Sequence, residues 1–227
     1  MASRVLLDTI PVDPWINWAW LSTHVPYVLA AVQEHVILTV IALVGGLVIA
    51  LPLGVAARRW TNLHLRPAVL TVFGGFYTIP SIALFALLIP YTGLGTLTAE
   101  IPLVGYNVLI LVRNVLVGLD AVPPDVIDAA DGMGYRPWAR LIRIELPLAL
   151  PAIFAGLRVA TVSTIGIVTI TAVIGLGGLG QLILRGLIES FHTPLVVATV
   201  LCIVLAFIAD LLVAGAQRLA VPWSRAA

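Results

Sequence analysis

Lysine is absent from this 227-residue chain: all twelve basic side chains are arginine. A P-loop, G-x-x-x-x-G-K-[ST], needs a lysine against the β- and γ-phosphates. The chain therefore does not hydrolyse nucleotide by that route, and Schiff-base chemistry on lysine is excluded as well. Charge of either sign is scarce, at 10% of residues against roughly 25% in soluble domains. The net charge of +1 leaves neither a nucleic-acid footprint nor an acidic tail. The single cysteine, Cys202, lies in an apolar run. An internal disulfide is thus impossible, and Cys202 reads as a small buried apolar side chain. His24, His35, His64 and His192 are scattered without paired spacing, so no metal site stands out. No hydrolytic constellation is visible either.

What the chain has in quantity is apolar length. It is 61% hydrophobic, with a mean hydropathy of +1.11, which excludes disorder and leaves too little polar surface for a water-soluble globule. A helical membrane span needs about 20 mostly apolar residues. Five stretches answer to that: about Val36–Ala57, Ala68–Ile89, Val104–Leu119, Leu148–Ile174 and Leu195–Ala216. Transmembrane strands would show short alternating segments, which these are not. The expected class is an all-α membrane protein with five transmembrane helices. Pro11, Asp13 and Pro14 interrupt any apolar core near the N-terminus, so that end does not read as a cleaved signal peptide. Residues 14–33 carry Trp15, Trp18, Trp20 and Tyr27, side chains that favour the headgroup level. They read as an interfacial helix lying on the membrane, with a sixth span as the rival. The expected division is 1–34 as an interfacial segment outside the membrane, 35–216 as the transmembrane domain and 217–227 as a cytoplasmic tail.

The arginines set the orientation. With the N-terminus outside, Arg58, Arg59, Arg66, Arg136, Arg140, Arg143, Arg218 and Arg225 fall inside, against Arg4 and Arg185 outside. That is a strong positive-inside bias, and it predicts N-out, C-in. Residues 121–147 then form the longest cytoplasmic loop, the one place where charge is dense. Pro123 and Pro124 favour a helix start there, and Asp125 adds a carboxylate at its positive end. Gly132 and Gly134 allow a break, and Pro137 can open a second short helix running into the fourth span.

The same loop carries a recognisable pattern. Asp128-Ala129-Ala130, Gly134 and Ile144-Glu145-Leu146-Pro147 match E-A-A-x(3)-G-x(9)-I-x-L-P at every anchor, with Asp128 where Glu is usual. The chain thereby resembles the permease subunits of binding-protein-dependent ABC importers, and the likeness runs over nearly all of Gln33–Glu189. Tyr77-Thr78-Ile79-Pro80-Ser81, Pro102-Leu103-Val104-Gly105-Tyr106-Asn107, Gly156-Leu157-Arg158 and residues 174–180 look like the branch that imports glycine betaine, carnitine and choline. The Gly-rich segment is similar in methionine-importer permeases too.

The resemblance implies a type I importer permease fold in a bacterial inner membrane, with a cytoplasmic coupling helix. It further implies a second permease, identical or paralogous, two copies of a separate P-loop ATPase that bind ATP and Mg, and an external solute-binding protein. This chain itself would carry no cofactor. Coupling to the ATPase would fall to Asp128, Ala129, Ala130, Gly134, Tyr135, Arg140, Ile144, Leu146 and Pro147. An importer of methionine or another small solute is the alternative within the class. An uncoupled channel or membrane scaffold is the alternative outside it.

A second set of residues is a candidate pathway or gate: Tyr77, Thr78, Pro80, Ser81, Arg113, Asn114 and Arg158. Pro80 frees a carbonyl and can kink its span, and broken helices often mark transporter sites. Tyr77 could offer a cation–π face to a quaternary ammonium. Arg113 and Asn114 either tie helices together or line the pathway. Arg158, about 15 Å into its span at 1.5 Å per residue, either pairs with an acid or meets the carboxylate of a betaine. Asp210 is a candidate partner for either arginine. Gly175, Gly177 and Gly180 spell G-x-G-x-x-G but follow no strand, so they are expected to make a sharp turn into a short external helix over 181–190, without binding a dinucleotide.

Overall fold

A computed structural model describes residues 14–60 and 64–225, and every regular element in those ranges is helical. Helix α1 spans Trp18–Arg59, 42 residues without interruption, or about 63 Å at 1.5 Å per residue. Its start is capped by Asn17, whose side-chain oxygen accepts from the Trp20 amide at 3.0 Å. The interfacial helix expected over 14–33 and the span expected over 36–57 are therefore one element. The reason is packing: Leu21, Val28, Ala31 and Val32 on the first half of α1 are seated against Leu179, Leu182, Val197 and Ala198. The backbone amide of Asn17 also donates to Thr193 Oγ1 at 2.7 Å. Tertiary burial holds this stretch in the bundle despite Pro26. The expected boundary at 34/35 falls inside α1, and residues 1–13 lie outside the described ranges.

The second half of α1 presents Ala42, Gly46, Ala50 and Gly54 at every fourth position, buried against α4. Small side chains on one helical face let two backbones approach closely, which drives helix association where lipid tails remove the hydrophobic incentive.

The stretch expected as one span over 68–89 is instead two helices, α2 (Leu65–Thr78) and α3 (Ser81–Thr92), meeting at 95°. Pro80 causes the break. It pushes Ile79 into an extended conformation (φ −72°, ψ 127°), as the residue before proline requires. The freed Ile79 carbonyl accepts from the Tyr106 hydroxyl at 2.6 Å.

Helix α4 (Thr96–Asp120) is the centre of the molecule, packed on α1, α2, α3 and the later α7. Leu103, Val108, Leu111, Val112, Val115 and Leu116 are all buried along it. The charged loop follows as α5 (Pro124–Gly132) and α6 (Pro137–Arg140), then a single π-turn over Leu141–Glu145. That turn leads directly into α7 (Leu146–Val168), which tightens to 3₁₀ over Thr169–Ile174. Gly175, Gly177 and Gly178, all at positive φ, reverse the chain into the short α8 (Leu179–Ile188). Helix α9 (His192–Ala220) closes the bundle.

Four helical stretches are long and apolar enough to cross a membrane, and α2–α3 add a fifth if the bent pair counts as one. Arg58 at the end of α1 and Arg66 at the start of α2 both reach Asp120 at the end of α4. Thr96 at the start of α4 instead lines a cavity with Gln33 and Glu34. Bent as they are, α2 and α3 together return the chain from the charged end of the bundle to the other.

Candidate functional site

At the charged end, α5 is built by its own sequence. Pro124 occupies its first turn and Asp125 faces the positive end of the helix. Its other end closes on Gly134, at φ +78°. The Gly134 amide donates to the Asp131 carbonyl (2.9 Å) and the Tyr135 amide to the Ala130 carbonyl (3.1 Å). This pair of bonds around a left-handed residue is a Schellman closure. It accounts for the pattern from Ala130 to Tyr135: a small residue buried completely, then a glycine that alone takes this φ without strain.

Two guanidinium groups then fasten the segment. Arg140 binds both Asp131 on α5 and Glu145 in the π-turn, the latter at Nε–Oε1 3.0 Å. Arg59, at the end of α1, donates to the Pro137 carbonyl (2.5 Å), lies over the Trp138 ring (4.9 Å) and stands 3.7 Å from Glu145. Glu145 is only 7% exposed and is held by two cations from different elements, as a buried carboxylate requires. The charged loop is thus a rigid handle tied to α1.

Its outer face carries Asp128, Ala129, Met133 and Trp138, all exposed. The Asp128 side chain makes no hydrogen bond or ion pair among the described residues. Leu146 lines an apolar groove of about 990 Å³ along α1 with Trp60 and Trp138. Ile144 and Pro147 line another cavity, of about 320 Å³, with Arg143 and Trp223.

The second set of candidates divides. Tyr77, Thr78, Arg113 and Asn114 share a cavity of about 380 Å³ between α2 and α4. Tyr77 is held edge-on to Tyr106, with ring centres 5.4 Å apart at 88°. Thr78 Oγ1 donates to the Gly75 carbonyl at 2.7 Å, and Asn114 Nδ2 to the Ile110 carbonyl at 2.8 Å. Arg113 is exposed and its side chain makes no ion pair or hydrogen bond among the described residues. Pro80 and Ser81 do not line this cavity; they form the break above it. Arg158 lies elsewhere, on α7, where its Nε and Nη2 meet Asp210 of α9 at 2.7 and 2.6 Å. This fork-to-fork pair is a brace between two helices.

Next to Arg158, Gly156 packs α7 directly on the Asn114 side chain of α4. A Cβ there would stand 2.5 Å from Asn114 Cβ.

Glu145, Arg59, Asp131 and Tyr106 were not singled out by sequence. Glu145 lies within the I-x-L-P anchor and Tyr106 within the Pro102–Asn107 segment, so motif membership could have flagged them. Arg59 reaches residues 78 positions away, and no local pattern encodes that.

Set beside known proteins, the chain matches, over residues 46–219, the family described as binding-protein-dependent transport system inner membrane component. The chain belongs to that family. As a member it is a permease, a transport component of a multi-pass membrane assembly and not an enzyme. The osmoprotectant import permease OsmW of Salmonella typhimurium is 38% identical over 201 residues, covering 86% of this chain and 93% of the relative. The glycine betaine/carnitine/choline permease OpuCB of Bacillus subtilis is 34% identical over 205 residues (89% and 93%). In fold, the chain is similar to the inward-facing MetNI methionine ABC transporter at a TM-score of 0.79 and 25% identity. That match covers 87% of this chain and 98% of the other.

Proposed function

We propose that this permease serves an ATP-driven importer of a quaternary-ammonium osmolyte in a bacterial inner membrane. Two permeases would pair around a pathway, with the charged end of the bundle in the cytoplasm. Each would offer α5 to one copy of a separate P-loop ATPase, where ATP and Mg are bound, while an external binding protein delivers the solute. The observation that carries the coupling role is the fastening of α5. A helix closed by Gly134 and locked through Arg140, Glu145 and Arg59 to α1 transmits a displacement rigidly. ATPase closure could then bias the permease pair between two states, as alternating access by rigid-body rocking requires. The substrate class rests on the named activities of relatives such as OsmW and OpuCB.

Proteoliposomes holding the permease, its ATPase and its binding protein provide the test. Labelled glycine betaine should enter only with ATP, and unlabelled choline or carnitine, but not methionine, should compete. Uptake of methionine alone would move the chain to the branch of its structural neighbour. Uptake without ATP would make it an uncoupled channel.

A further inference from the structure

Arg113 and Arg158 lie in the interior of long apolar helices, away from their last turns, and their surroundings differ. Arg158 is neutralised by Asp210 through two short bonds. Arg113 has no such partner among the described residues, and no carboxylate lines the cavity it borders. A cation so placed in a span is costly unless water or an anionic group meets it. Across the same cavity stands Tyr77, 43% exposed. Its ring stands perpendicular to that of Tyr106 at 5.4 Å between centres, and Tyr106 is itself anchored through its hydroxyl to the Ile79 carbonyl. The cavity therefore offers one uncommitted guanidinium and one pre-oriented aromatic face. At about 380 Å³ it falls within the range of small-molecule sites.

We propose that this cavity is a solute subsite for zwitterionic quaternary-ammonium compounds, with Arg113 receiving the carboxylate and Tyr77 the trimethylammonium group. The assignment rests on the osmolyte reading above and adds a binding site within the permease itself. It also gives the carboxylate contact to Arg113 and removes it from Arg158, whose guanidinium is already satisfied. A guanidinium fork matches a carboxylate in geometry and charge, and an aromatic face attracts a quaternary ammonium. A bare cation such as choline gains the second contact and meets an unopposed Arg113, so the site ranks zwitterions above cations.

The test is equilibrium dialysis of labelled glycine betaine and choline against the permease–ATPase complex in nanodiscs, without binding protein. Wild type should bind glycine betaine saturably and more tightly than choline. Arg113→Gln should weaken glycine betaine about tenfold, the scale of one charge-assisted hydrogen-bond pair, and leave choline unchanged or improved. Arg113→Lys, which keeps the charge and loses the fork, should fall between, and Tyr77→Leu should weaken both solutes. Equal loss of both solutes in Arg113→Gln would overturn the subsite. So would the absence of saturable binding by a wild-type complex that imports glycine betaine once its binding protein is added. A complete system that imports neither solute would overturn the osmolyte reading, and the subsite with it.

Discussion

Gly134 stands at φ +78° with no atom within 4 Å of the place a Cβ would take, so substitution there meets a backbone penalty and no steric one. For an L-residue that penalty is about 1–2 kcal/mol, least for Asn, which tolerates the left-handed region, and greatest for a β-branched side chain. Uptake is expected to fall from Gly134 to Gly134→Asn to Gly134→Val at equal membrane insertion, measured as ATP-dependent transport against immunoblotted protein. Gly156 is the opposite case, with ordinary φ but no room. Gly156→Val drives a side chain into Asn114, and overpacking of this kind costs about 1–3 kcal/mol or more; the purified protein should melt at a lower temperature. The Asp128 side chain is exposed and makes no hydrogen bond or ion pair among the described residues, so replacing it with Glu is expected to leave the melting temperature of the permease unchanged. Gly134 was legible in the sequence because a helix cap is a local pattern of a few residues. The choice of Arg158 over Arg113 as partner of Asp210 was not, since it depends on how α7 and α9 pack across 52 positions.

Among the elements, α5 was legible from its prolines, its first-turn acid and its closing glycine. The charged clasp around it was only half so: Arg140 belongs to the loop, whereas Arg59 arrives from α1. Removing the shared anion tests the clasp. Glu145→Gln leaves Arg59 and Arg140 without their buried carboxylate, a loss of about 3 kcal/mol or more for a broken buried pair. ATP hydrolysis should persist while solute uptake falls, and uptake that stays tied to hydrolysis would show that the clasp does not transmit motion.

The break between α2 and α3 was legible as a kink at Pro80. Its angle of 95° was not, because Tyr106 on another helix satisfies the carbonyl that makes so open a break tolerable. Tyr106→Phe strands the Ile79 carbonyl at a cost of about 1–3 kcal/mol, which thermal unfolding should report as a lower midpoint. Helix α1 is continuous for a related reason: Trp18, Trp20 and Pro26 carry interfacial chemistry locally, while Val28 and Ala31 on the same helix are buried against α8 and α9.

For the whole molecule, the shortage of charge that marks a membrane protein also maps its working parts. Arg58, Arg59, Arg66 and Arg140 gather at one end of the bundle with Asp120, Asp131 and Glu145. The sequence carries no lysine and so no P-loop, which fits the proposal that a separate ATPase supplies the energy. The account then stands or falls on whether the fastened α5 passes that energy on. The most direct measurement is ATP-driven uptake of glycine betaine in proteoliposomes containing the ATPase, the binding protein and either the wild-type permease or Gly134→Val. The account predicts uptake that requires ATP in the first and is lost in the second, with both permeases inserted equally. Uptake that ignores ATP, or that survives Gly134→Val unchanged, would contradict it.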